Sequence, residues 1–268
     1  MITIDRLEPE RLAGVKGLFS DLDGTISTAG KVGPRAFAAL WQLHEAGLHL
    51  VVVTGRPAGW CDHIARFWPV DAVVGENGGF YFFHDGRRMQ RRYLYDDAQR
   101  QNFRRRIEAV GEEILRQVPG ARIAADQLYR EYDLAIDFCE DVTPLPMAQV
   151  LRIKEIFEKA GANAKISSIH VNGWYGEFDK LTTMRLYAQE RLGTDLDAER
   201  EAFVFCGDSP NDEPMFGFFP LSFGMANVRG FLSLMRRRPA FVTTQPCGAG
   251  FRQVADLVLR ARAHQEAE

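Results

Sequence analysis

Gly17-Leu18-Phe19-Ser20-Asp21-Leu22-Asp23-Gly24-Thr25 decides how this 268-residue chain reads. An apolar run too short for a helix ends in two carboxylates and a glycine turn, which predicts a buried strand carrying acids to its C-terminal tip. Open α/β sheets gather their chemistry at that edge. Alternate residues of a regular strand share a face, so Asp21 and Asp23 can both look into one site. Two ionised carboxylates do not sit dry side by side; a cation or a shared proton resolves the repulsion. The same residues also suit a strand that simply ends in an Asp-Gly turn. The stretch alone does not choose.

Working outward, Ser27 to Gly33 is polar and glycine-rich, an expected loop. Pro34 suits a helix start, and Phe37, Leu40, Trp41 and His44 recur at helical spacing up to Gly47. Leu48 to Val53 is apolar and β-branched, a second buried strand, and it ends in Thr54-Gly55-Arg56-Pro57. On its own that tip reads as a strand-to-helix turn with Thr54 capping the next helix. A helix from about Ala58 to Phe67 and a third strand, Asp71 to Val74, lead to Glu76-Asn77-Gly78-Gly79. This β-α-β-α-β order predicts a parallel sheet with right-handed crossovers.

From Phe80 the pattern changes. A hairpin turns at Asp85-Gly86, and Asp97 to Val118 forms a helix with Phe103, Ile107, Val110, Ile114 and Leu115 on one stripe. Two strands follow within Ala121 to Phe138, then a helix over Pro144 to Ala160 with Val150, Ile153, Ile156 and Phe157 inward. Ala164 to Val171 reads as one more strand. Residues 83–172 thus read as an inserted α+β domain, with 1–82 and 173–268 forming the α/β domain around it. The β/α pattern resumes with a helix opening at Asp179-Lys180-Leu181. Phe203 to Cys206 is the next buried strand, tipped by Gly207-Asp208-Ser209-Pro210-Asn211-Asp212. A short strand near Leu221 and a helix from about Gly250 to Arg262 follow.

The net charge of −3 gives no reason to expect nucleic acid or a membrane surface as partner. No apolar run approaches bilayer-spanning length, and Met1 to Glu10 lacks a basic-then-apolar leader pattern. Cys61, Cys139, Cys206 and Cys247 are scattered without Cys-x-x-Cys, so neither a disulfide framework nor a zinc site is expected. The expectation is a reduced, soluble, cytoplasmic protein.

Separate strand tips and helix starts now carry Asp21/Asp23, Thr54, Lys180 and Asp208/Asn211/Asp212 within one doubly wound pattern. In this order they resemble the motifs of the haloacid dehalogenase-like phosphohydrolase superfamily. Glu76-Asn77-Gly78-Gly79 and the large insertion resemble its type IIB cap branch, which includes the Cof-type, sucrose-phosphate and mannosyl-3-phosphoglycerate phosphatases. The resemblance implies a Rossmann-like parallel-sheet α/β core with an inserted α+β cap. It further implies Mg²⁺-dependent hydrolysis of a small phosphorylated metabolite, a sugar phosphate or phosphoglycerate-type monoester. A monomer or homodimer without nucleic-acid or membrane partners is expected.

Phosphoryl transfer rests on positioning and electrostatic stabilisation. The resemblance gives Asp21 the nucleophile's role, through an aspartyl-phosphate, and Asp23 that of general acid/base. Mg²⁺ would be held by Asp21, Asp208 and the backbone carbonyl of Asp23, with Asp212 orienting ligands or waters behind them. Thr54, the Gly55 amide, Lys180 and Asn211 would meet the phosphate. Arg130, His170 and Asn172 are candidates for the leaving group, alongside Glu131 and Trp174. His170 alternates with Ile169 and Val171, so it can face the cleft while they face the cap core. A phosphotransferase or mutase of the phosphomannomutase type is the alternative outcome, and a non-catalytic phospho-ligand sensor a second. Retention of Asp21, Asp23 and Asp208 together speaks against the sensor.

Overall fold

In the order Ile2–Thr3, Phe241–Val242, Leu221–Gly224, Phe203–Gly207, Gly17–Ser20, His49–Val53, Ala72–Gly75, Phe80–His84, Met89–Tyr93, nine strands build one sheet. The computed structural model describes residues 1–265. The first seven strands run parallel and the last two antiparallel. Leu50 to Val53 is buried on both faces, which is why it reads as a continuous apolar run instead of an alternating one. Helices Pro34–Glu45, Ala58–Phe67 and Cys247–Gln265 cover one face, and Lys180–Tyr187 and Glu213–Phe218 the other. The chain winds outward from Gly17–Ser20 through His49–Val53 to Ala72–Gly75, and later returns on the opposite side as Phe203–Gly207. Ligand crevices open at such a reversal, beyond the C-terminal strand ends. Asp21 and Asp208 leave the sheet there.

Helix Pro34–Glu45 buries Ala36, Ala39, Leu40 and Leu43, not the expected Phe37, Leu40, Trp41, His44 stripe. Trp41 is 44% exposed and meets His44 on the outer side. Close packing against Cys247–Gln265 selects the alanines: a Cβ on Gly248 would lie only 3.2 Å from that of Ala36. The expected Ser27–Gly33 loop contains a small hairpin, Ser27–Thr28 with Lys31–Val32.

The expected insert boundary at residue 83 falls inside the hairpin Phe80–His84/Met89–Tyr93, whose second strand stays in the large sheet. The cap sheet has the order Asn163–Ile166, His170–Trp174, Leu134–Asp137, Arg122–Ile123, all antiparallel. Helices Asp97–Gln117 and Met147–Lys159 pack on it around Ile107, Ile114, Ile136, Val150, Ile153, Phe157 and Val171. Leu115, expected on the inward stripe, is 40% exposed. The single strand expected over Ala164 to Val171 is instead a hairpin. Ser167 turns it, accepting at Oγ from the amides of Ile169 and His170. All four cysteines are free, and no helix among the described residues is long and apolar enough to cross a membrane.

Candidate active site

Asp21 and Asp208 follow neighbouring parallel strands, so the ladder itself sets them side by side, and the Asp21 amide extends it by donating to the Cys206 carbonyl at 2.8 Å. Lys180 opens its helix under an Asp179 cap and projects Nζ to 2.6 Å from Asp21 Oδ1 and 2.7 Å from Asp212 Oδ1. Asp212 Oδ2 accepts from the Asp208 and Ser209 amides, so both its oxygens are taken. Asp208 Oδ2 accepts from Asn227 Nδ2 at 2.8 Å, whereas Asp208 Oδ1 is buried without a partner. Burial pushes Asp21 up to about 8; Lys180 pulls it back, and Asp212 and Asp23 push it further. Asp208 is driven well above the usual carboxylate range by burial, then by Asp21 and Asp212. For Lys180 burial opposes the charged form, but Asp21 and Asp212 prevail and raise it.

Asp21, Asp208 and Asp212 each bring a carboxylate oxygen to within 4.8 Å of the others. One ammonium does not balance them, and an orphaned buried oxygen is costly. These residues therefore fit a hard divalent cation, which takes oxygen ligands.

Two glycines let the backbone come this close. At Gly24, φ is +72° and a Cβ would collide with the Asp208 carboxylate. At Gly78, φ is +113° and a Cβ would collide with the Asp179 carbonyl beside Lys180. The preceding Glu76 and Asn77 are left-handed as well, at φ 45° and 55°. The buried Glu76 carboxylate accepts from the amides of Ala58, Glu131, Tyr132 and Asp133, and so ties the segment leading into the cap strand Leu134–Asp137 to the core. Asn211 Nδ2 donates to Asn77 Oδ1 at 3.3 Å. Thr54 does not cap the next helix; its buried hydroxyl accepts from the Arg56 amide at 3.0 Å.

Asp23 behaves differently from Asp21. Its carboxylate turns to Arg56, bonded by Nε at 2.8 Å and Nη2 at 3.0 Å, and its carbonyl accepts from Ser168 Oγ of the cap at 3.3 Å. The same guanidinium reaches two cap carboxylates, Glu140 at 2.5 Å and Asp126 at 3.2 Å. Burial would raise Glu140, yet His170 and Arg56 hold it down at about 2. His170 Nε2 lies 2.9 Å from Glu140 Oε2 but is not aligned as a hydrogen bond.

Of the cap residues singled out from the sequence, His170 and Asn172 do line the site, where a space of about 10 Å³ remains, roughly one water. Asn172 donates to Asp133 at 2.8 Å. Arg130, expected to be open to a leaving group, is instead fully buried and committed to Asp126, Asp133 and the Gly55 carbonyl. Glu131 pairs with Arg100 at its periphery, and Trp174 is stacked on Phe178 in the interior. Sequence reasoning missed Arg56, Glu140 and Asp126. Arg56 had a signal, its place after Thr54-Gly55; the two acids had none, because only docking of the cap brings them in.

Residues 18–109 match the family described as haloacid dehalogenase-like hydrolase. The chain has the haloacid dehalogenase-like hydrolase fold, with that family's sequence pattern at its N-terminal end. It is similar to a putative haloacid dehalogenase/Cof-like hydrolase from Plasmodium vivax, at 16% identity and TM-score 0.66, covering 96% of this chain and 99% of that one. A haloacid dehalogenase-like hydrolase from Bacteroides thetaiotaomicron gives 17%, 0.61, 92% and 99% in the same order. The sucrose-phosphatase of a Synechocystis species, solved with sucrose and phosphate, gives 16%, 0.60, 94% and 98%. No curated protein matches the chain.

Proposed function

We propose that the chain is a Mg²⁺-dependent phosphatase acting on a small phosphorylated metabolite, a sugar phosphate or phosphoglycerate-type monoester, through an aspartyl-phosphate on Asp21. One observation carries the reading: buried Asp21, gripped by Lys180, lies beside an Asp208 oxygen that has no partner. The sucrose-phosphatase among the structural relatives supports a phosphorylated small molecule as substrate class. Mg²⁺, held by the Asp21 and Asp208 carboxylates and the Asp23 carbonyl, would offset charge between nucleophile and phosphoryl group. Asp212, with both oxygens engaged, would orient this set.

Asp21 attacks phosphorus as the bond to the leaving oxygen breaks, and Asp23 delivers a proton to that oxygen. Asp23 then takes a proton from the water that cleaves the acyl phosphate, which restores Asp21. Lys180, Thr54, the Gly55 amide and Asn211 would hold the phosphoryl oxygens. Arg56 donates to both Asp23 oxygens and so fixes the orientation of the carboxylate that handles the proton. The 10 Å³ left in the site admits no phosphoryl group, so the cap, residues 94–172 in this reading, lifts for entry and closes for chemistry. The test is phosphate release from a panel of phosphate esters with Mg²⁺, for the native chain and Asp21→Asn, with and without an added sugar acceptor. Metal-dependent release lost in the variant supports the reading. Equal activity of the variant, or transfer to the acceptor in place of release, contradicts it.

A further inference from the structure

A second space opens on the outer side of the seam between cap and core. Its volume is about 540 Å³, within the range of small-molecule sites, which favour the junctions between domains. The cap side is formed by Lys154 of helix Met147–Lys159 and Lys165 of the edge strand Asn163–Ile166, and the core side by Arg236 and Arg237. No residue lines both this cavity and the catalytic space. The two lie back to back: Ile166 and Pro210 line the outer one, and their chain neighbours Ser167 and Asn211 the inner.

Charge distinguishes the outer cavity. Lys154 is paired with Glu158, but the side chains of Lys165, Arg236 and Arg237 have no partner among the described residues. Glu213 is the one acid in the wall, and its Oε1 accepts from the Arg236 and Arg237 amides at 2.9 Å each. Those bonds fix the backbone that presents both guanidiniums. Arg237 is held a second time, because its stem lies across Gly217, where a Cβ would come within 2.3 Å of Cδ. Cations placed in advance lose less on binding than cations trailing in solvent. Three unpaired cations against one carboxylate, in a chain of net charge −3, suit an anion with more than one charge. Leu151, Pro214 and Leu234 add an apolar wall, which an inorganic anion would leave wet.

We propose that this cavity is a second binding site, taking a small organic polyanion of the nucleoside di- or triphosphate kind that bridges Lys165 of the cap to Arg236 and Arg237 of the core. A ligand seated there holds cap to core. Resting on the phosphatase reading, in which the cap lifts to admit substrate, it slows turnover from outside the catalytic space.

The test is calorimetric titration of ADP and of pyrophosphate into the full chain without Mg²⁺, for the native protein, Lys165→Gln, Arg236→Gln and Arg238→Gln, with thermal melts to confirm folding. ADP binds the native protein, and more tightly than pyrophosphate. Lys165→Gln and Arg236→Gln, on opposite sides of the seam, each weaken ADP by at least about tenfold. Arg238→Gln removes the same charge from an exposed neighbour outside the cavity and leaves binding intact. With excess Mg²⁺, ADP lowers p-nitrophenyl phosphate turnover in the native protein and not in Arg236→Gln. No ADP binding, equal affinity in folded Lys165→Gln and Arg236→Gln, an equal loss in Arg238→Gln, pyrophosphate binding as tightly as ADP, or inhibition that persists in Arg236→Gln overturns the inference. Absence of any Mg²⁺-dependent turnover overturns the phosphatase reading instead, and the titrations then decide the site by themselves.

Discussion

Replacing Gly78 by alanine tests whether the Glu76–Gly78 turn places Lys180. The residue has φ +113°, outside the range an L side chain adopts readily, and its Cβ would strike the Asp179 carbonyl and crowd the Lys180 amide at 3.0 Å. Holding such a backbone costs roughly 1–3 kcal/mol. Relieving the collision by shifting packed backbone costs about 1–3 kcal/mol more. At ~2–4 °C per kcal/mol for a chain of this size, the melting temperature falls on the order of 10 °C. The helix start carries Lys180 with it, and displacing a reacting group by about 1 Å costs up to ~10²-fold in kcat. Gly86→Ala is the control, since Gly86 has φ +87° with nothing within 4 Å of the added Cβ. It carries the backbone cost alone and leaves turnover intact. Calorimetry and phosphate-release kinetics on both variants decide the matter. Gly78→Ala as stable and as active as Gly86→Ala refutes the reasoning.

Three further outcomes follow from the same geometry. Asp21 is an acid raised from 3.8 to about 8 in the folded state, so its contribution to stability is full below pH 3.8 and lost as pH rises through 8. Metal-free protein therefore melts lower at pH 8 than at pH 5, and Asp21→Asn flattens that slope. Mg²⁺ at a hundred times its dissociation constant stabilises by about 2.7 kcal/mol, a rise of several degrees in melting temperature that Asp208→Asn removes. Arg130→Met strands Asp133 in the interior and lowers stability by about 3–5 kcal/mol in urea unfolding, with faster proteolysis of the cap.

The strand tips were legible because their strands are buried on both faces, so Leu50 to Val53 and Phe203 to Cys206 stand out as apolar runs ending in polar residues. That information is local. The face of Pro34–Glu45 was not, because Ala36-Ala39-Leu40-Leu43 and Phe37-Leu40-Trp41-His44 have the same spacing one residue apart, and only the neighbouring helix chooses between them. Ile2–Thr3 and Phe241–Val242 pair at the sheet edge over too short a span to show any period. The Ser167 turn hid within an alternating stretch. Arg56 and Glu140 are 84 residues apart, and their meeting depends wholly on how the cap docks.

The central claim is that Asp21 is the group phosphorylated during turnover. Acid quenching of the native protein as it hydrolyses an ester with Mg²⁺, followed by peptide mass spectrometry, tests this directly. A single phosphoryl group on the peptide containing Asp21, absent in Asp21→Asn and without Mg²⁺, is the predicted result. Steady turnover with no covalent phosphate, or with the phosphate on another residue, contradicts the account.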